Sequence, residues 1–138
     1  MSQTFAGRVK ELGLPLDQII IIGSGILDQL GIRQSADVDV AARSEVLEKL
    51  AHDDDWIEKV DKHQRQYLVK HDGSAEIWDG WEIDGQVIEY DELLGYTVEH
   101  DGVKFVSLDF LRRWKNWRGR KKDIQDMKLI DEWRAKHE

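Results

Sequence analysis

The chain has 138 residues, of which 41% are hydrophobic and 35% charged, and a net charge of −8; these values suit one globular domain, 1–138, with a real core, and argue against indiscriminate nucleic-acid binding. It has no cysteine, which excludes disulfides and thiolate metal sites. Its longest apolar run, Ile19–Ile22, falls far short of the roughly 18 residues of a membrane span, and no secretory hydrophobic region is visible, so a cytoplasmic protein with no membrane partner is expected.

Phe5, Val9 and Leu12 share one face of a helix predicted over 3–12. The only proline, Pro15, lies in a turn before a buried strand over 17–22. Residues 24–30 read as a short helix stopped by Gly31, and 37–41 as the second strand. Ser44 is expected to cap a helix over 45–52 that carries Val46, Leu47 and Leu50. Strands over 66–70 and 75–78 flank the hairpin-type loop His71-Asp72-Gly73-Ser74. A strand over 86–90 follows the Asp84-Gly85 turn, and strands over 97–100 and 103–106 flank Asp101-Gly102, a strong hairpin signal. Ser107 caps a helix to about Trp117, with Asp109 in its first turn; Gly119 breaks it, and a last helix spans about 121–136. Strands followed by terminal helices predict an α+β domain (α/β in looser usage): a mixed central sheet flanked by helices, with a C-terminal helical pair.

The chemistry concentrates between Ile19 and Ala42. An apolar run ends in Gly23-Ser24, and thirteen residues after Ser24 come Asp37 and Asp39, separated by Val38. Residues i and i+2 of a strand point the same way, so the two carboxylates project together while Val38 and Val40 are buried on the opposite face. Carboxylates held side by side repel, and a hard divalent cation such as Mg²⁺, shared with substrate phosphates, relieves that repulsion. Small residues at the preceding strand end let a phosphate approach the backbone N–H groups of the turn and the following helix.

Gly23-Ser24-Gly25 is not a dinucleotide fingerprint, because Asp28 stands where the third glycine is needed, and no P-loop Lys-Ser/Thr follows. Ile22-Gly23-Ser24 followed by Asp37-Val38-Asp39-Val40 resembles the pattern of the nucleotidyltransferase superfamily that includes DNA polymerase beta. Leu30-Gly31-Ile32-Arg33-x-Ser35-x-Asp37 looks like small bacterial members of that group. A second match lies in Phe105-Val106-Ser107-Leu108-Asp109-Phe110-Leu111, then Lys115, Arg120-Lys121-Lys122-Asp123 and Asp126, which are similar to the tail of minimal single-domain members. The likeness covers roughly residues 18 to 130. It implies a nucleotidyltransferase fold and Mg²⁺-dependent transfer of a nucleoside monophosphate from a triphosphate such as ATP to a hydroxyl, with one or two ions. The acceptor is open: a small molecule, a protein or an RNA end. Asp37 and Asp39 would be metal ligands, and Gly23 and Ser24 would contact the triphosphate.

Active members also need a third acid on a later strand. Glu76 and Asp79 compete; three positions separate them, so a regular strand cannot turn both to the metal, and Glu76 is preferred. Arg33 either binds a phosphate or pairs with Asp28 or another acid. Lys115 and Lys122 either reach phosphates as point charges, or Arg120, Lys122, Asp123 and Asp126 form an ion-pair network that locks the last helix to the sheet, with the structural role favoured for the two aspartates and the lysines left open. Residues 111–138 carry +5 against −13 over 1–110, read as a basic helix docking on an acidic body ahead of cations that face an anionic substrate. Trp114, Trp117 and Trp133 read as packing, as do Trp78 and Trp81 ahead of base stacking. None of the five histidines has metal-ligand spacing. The competing function is a non-catalytic or partner-dependent protein of the same fold, as in toxin–antitoxin or phage-defence pairs, and a weaker one is a structural interaction module. Only two helices follow residue 107, so a shallow site completed by a homodimer, a partner protein or the acceptor is expected.

Overall fold

The computed structural model describes residues 3–137. Thr4 caps α1 (Phe5–Glu11) by accepting the Gly7 N–H, and the helix buries Phe5, Ala6 and Val9. A single 3₁₀ turn over Leu16–Gln18 leads into β1 (Ile19–Ile22), so the first strand begins two residues later than the sequence suggests. All four of its isoleucines are buried, as expected of a strand covered on both faces. Then come α2 (Gly25–Gln29), β2 (Val38–Ala42) and α3 (Ser44–Leu50). Ser44 is the first helical residue of α3 and not its cap: Arg43 holds that position with an extended backbone and no side-chain bond.

β3 (Trp56–Val60), β4 (Gln66–Lys70) and β5 (Ala75–Trp78) form an antiparallel meander. The hairpin of β6 (Gly80–Ile83) and β7 (Gln86–Glu89) makes a separate two-stranded sheet. The chain then enters one helical turn, α4 (Tyr90–Leu93), so Tyr90 belongs to a helix and not to the preceding strand. β8 (Thr97–His100) and β9 (Val103–Val106) close around Asp101-Gly102, both with positive φ (54° and 80°), the backbone that a two-residue primed hairpin turn requires. Ser107 accepts the Phe110 N–H to cap α5 (Leu108–Arg118), Gly119 ends it, and α6 (Lys121–His137) completes the pair.

The main sheet runs β3-β4-β5-β2-β1-β9-β8. β5 pairs parallel with β2, β2 antiparallel with β1, and β1 parallel with β9. This is a mixed sheet flanked by helices, an α+β architecture. The core gathers around β1, where the Phe5 and Phe105 rings stand 6.0 Å apart. Trp81 packs between Phe110 and Trp114, tying the small hairpin to α5. No helix among the described residues is long and apolar enough to cross a membrane.

Candidate functional site

The central strands bring the acids together. In the antiparallel β1–β2 pair Asp39 stands opposite Ile22, and in the parallel β2–β5 pair it stands beside Glu76. Neighbours in register share a sheet face, so the two carboxylates emerge side by side. Asp37 lies just before β2 rather than inside it and is exposed, yet it lines the same two clefts as Asp39. Val38 and Val40 are buried behind them. Asp79 is turned away: it pairs with Arg65 at 3.1 Å and lines neither cleft that holds Asp37 and Asp39. The odd spacing from Glu76 therefore separates the two acids, and Glu76 is the one beside Asp39.

Burial pushes the Asp39 carboxyl up to about 6, and the nearby charges of Glu76 and Asp37 push in the same direction against a weaker pull from Lys122. None of the three acids has an ion-pair partner among the described residues. Gly23 forms the floor. It has φ +68°, and a Cβ there would stand 2.9 Å from Asp39 Oδ2, so both the left-handed backbone and the close approach of the carboxylate demand glycine.

A second cluster lies next to the acids, in a cleft of about 590 Å³. Asp126 Oδ1 accepts from Arg33 Nε and Oδ2 from Arg33 Nη2, both at 2.7 Å. Lys115 Nζ reaches Asp126 Oδ2 at 2.8 Å and Asp123 at 3.6 Å while only 2% of its side chain is exposed. Arg33 Nη2 and Lys115 Nζ also donate to Ser24 Oγ, at 3.0 and 3.1 Å. Arg120 grips Asp123 in a fork of 2.6 and 3.1 Å, and Asp123 accepts the Arg120 backbone N–H at the start of α6. Burial works against ionisation of Asp126 and Asp123, but the hydrogen bonds from these cations prevail and hold both carboxyls below the usual range.

Gly23, Ser24, Arg33, Lys115 and Lys122 thus line one cleft, but not with equal freedom. Arg33 pairs with Asp126 rather than Asp28, which Arg8 holds at 3.1 Å. Lys115 is consumed by the same aspartate. Lys122 is exposed, has no carboxylate in ion-pair range among the described residues, and acts on Asp39 through space. The locking network therefore consists of Arg33, Lys115, Arg120, Asp123 and Asp126, with Lys122 outside it. The basic C-terminal stretch does not simply dock on an acidic body: Arg113 and Arg134 reach Asp84 and Asp109, but Arg112 and Arg120 pair with acids of α6 itself.

The adjoining cleft, about 460 Å³, shares Gly23, Asp37 and Asp39 and is walled by Trp78, Trp114 and Trp117. Trp78 stacks on Tyr67 with centroids 4.1 Å apart and donates its indole N–H to Glu76 at 3.2 Å. Trp114 donates to the Glu82 carbonyl at 3.0 Å. Trp114 and Trp117 are thus cleft walls as well as packing, and not fully buried core.

Sequence reasoning assigned Asp126 only a locking role and missed that it gathers Arg33 and Lys115 around Ser24. The signal was present: Leu111 and Lys115 stand four apart on the buried stripe of α5, and Asp123, Asp126 and Ile130 occupy the buried stripe of α6. A lysine in an apolar stripe opposite aspartates in another implies an internal ion pair.

Among the described residues, no three His, Asp or Glu side chains form a ready-made metal cage. Asp37, Asp39 and Glu76 are the residues that could hold a hard divalent ion, because they offer only carboxylate oxygens and have no ion-pair partner among the described residues, and burial, with the charges of Glu76 and Asp37 behind it, raises Asp39. Such an ion would take its remaining ligands from phosphate and water. Compared with protein-family models, curated proteins and solved structures, the chain gives no significant match.

Proposed function

We propose that the chain is a minimal, nucleotidyltransferase-type domain that binds a nucleoside triphosphate with Mg²⁺ and transfers its nucleoside monophosphate to a hydroxyl acceptor. The supporting observation is the unpaired acid group Asp37, Asp39 and Glu76 above Gly23, set against Asp123 and Asp126, which are fully neutralised nearby. In the transfer the acceptor hydroxyl gives up its proton to water, its oxygen bonds to the α-phosphorus, the α–β phosphoanhydride bond breaks, and pyrophosphate leaves with the bonding electron pair. Asp37, Asp39 and Glu76 would hold the ion, which when bound offsets charge on the phosphoryl oxygens. Lys122 supplies an unneutralised cation to the phosphates, and Gly23 leaves room for them beside Asp39.

A second reading has its own support. Two cations assigned to phosphates, Arg33 and Lys115, are already neutralised inside the protein, and no ready-made metal cage is present among the described residues. A nucleotide-binding or partner-dependent protein of this fold without turnover fits those facts.

Calorimetric titration with the four triphosphates, with and without Mg²⁺, tests the site. The wild type is expected to bind at least one triphosphate far more tightly with Mg²⁺ than without, and Asp37→Asn/Asp39→Asn to show no gain from the metal. Equal binding by both proteins rejects the metal site. Pyrophosphate release with candidate acceptors separates turnover from binding alone.

A further inference from the structure

The Ser24 hydroxyl has one proton and two lone pairs. Arg33 Nη2 donates to it at 3.0 Å and Lys115 Nζ at 3.1 Å, so both lone pairs are taken. Cations cannot accept a hydrogen bond, so the Ser24 proton must point elsewhere, and no acceptor for it stands within hydrogen-bond distance among the described residues. Ser24 lines the cleft beside Gly23, Asp37 and Lys122. The donor count is also complete. Arg33 Nη2 has two protons, one for Asp126 Oδ2 and one for Ser24; Lys115 directs its ammonium to Asp126 Oδ2 and Ser24, with Asp123 at 3.6 Å. Asp126 fixes both cations, and Lys115 is too deeply enclosed to turn outward.

We infer that Arg33, Lys115 and Asp126 are positioning residues that orient the Ser24 hydroxyl as a hydrogen-bond donor to a polyphosphate, and that Ser24 and Lys122 make the direct contacts. Two cations on its lone pairs polarise the hydroxyl and strengthen it as a donor to an anion. The network thus acts on the ligand through one oxygen. The inference rests on the triphosphate reading of this cleft but not on the metal site.

Inorganic triphosphate binding without Mg²⁺, measured by calorimetry on the full chain carrying Asp37→Asn/Asp39→Asn, isolates this lobe. In that background Ser24→Ala is expected to weaken binding about tenfold, and Ser24→Thr, which keeps the hydroxyl, to weaken it far less. The charge-neutral pair Lys115→Met/Asp126→Asn should weaken binding to a similar degree alone and not at all once Ser24 is alanine, because the network then has nothing to orient. Lys122→Met should weaken binding by the same factor with or without Ser24→Ala. If the pair variant does not fold, Arg33→Gln serves as the second arm with the same non-additive expectation. A further loss from the pair variant or Arg33→Gln in the Ser24→Ala background would show direct phosphate contact and overturn the inference. So would a parent that binds no triphosphate. Failure of Mg²⁺-dependent nucleotide binding alongside intact triphosphate binding would remove the metal site and leave the phosphate lobe standing.

Discussion

Asp39→Asn is expected to stabilise the fold at pH 7.5 by on the order of 3 kcal/mol, roughly 10 °C in Tm. The Asp39 carboxyl stands at about 6 in the folded chain against an ordinary 3.8, so the folded state holds that proton more tightly than the unfolded state. The penalty is absent below about pH 4, grows as pH rises, and is complete above about pH 6, where folded Asp39 is ionised. Wild-type stability in urea should therefore fall across that window, and the asparagine variant should lack that component of the fall. Mg²⁺ with a triphosphate should raise the wild-type Tm, because a ligand that binds only the folded state stabilises it by mass action, and adding Mg²⁺ to the triphosphate should bring no further rise in Asp39→Asn. A variant less stable than the wild type at pH 7.5 would show that the acids are held by something other than the fold around them. The opposition of stability and function at one carboxylate is what a site assembled for a cation would show without it.

Asp126→Ala has the opposite sign. It strips Lys115, 2% exposed, of its 2.8 Å partner and Arg33 of its bidentate acceptor, and leaves Lys115 with Asp123 at 3.6 Å as its remaining ion-pair partner among the described residues. Breaking a buried pair by removing one partner typically costs about 3–5 kcal/mol, enough to threaten a domain of this size. The double variant Asp126→Leu/Lys115→Met removes both charges and should cost much less, since well-packed apolar groups commonly replace buried ion pairs with little loss. Urea midpoints distinguish the cases. A single variant within about 1 kcal/mol of the wild type, against that 3–5 kcal/mol expectation, would mean that water or a rearranged Lys115 satisfies the site.

The parts of the fold that were legible in the sequence are those where local signals agree. The Ile19–Ile22 run, the valines alternating with Asp37 and Asp39, the Asp101-Gly102 hairpin and the Ser107 cap each dictate a backbone without distant help. β3 was missed because it is an edge strand with only Trp56 buried, so it carries no alternation. β6 was missed because Asp79 alone separates it from the strand that ends at Trp78, and Gly80 opens a new strand against Glu89. Of the site, the acid group was readable because strand periodicity fixes which face Asp39 takes, and because the odd spacing of Glu76 and Asp79 permits only one of them on it. The pairing of Arg33 with Asp126 spans 93 residues; no local rule carries that distance, so the choice between a phosphate and an acid stayed open for Arg33 and Lys115, both of which are neutralised inside the protein. The helical stripes held a partial signal, in a lysine and two aspartates at core positions, and only the packing of α5 against α6 connects them.

Carbon-13 NMR of the Asp39 carboxyl, titrated with and without Mg²⁺ and a triphosphate, probes the acid site at the atom concerned. A midpoint near 6 in the free protein, displaced well downward when metal and nucleotide are added, is the expected result. A midpoint in the ordinary aspartate range that ignores both additions would contradict the site.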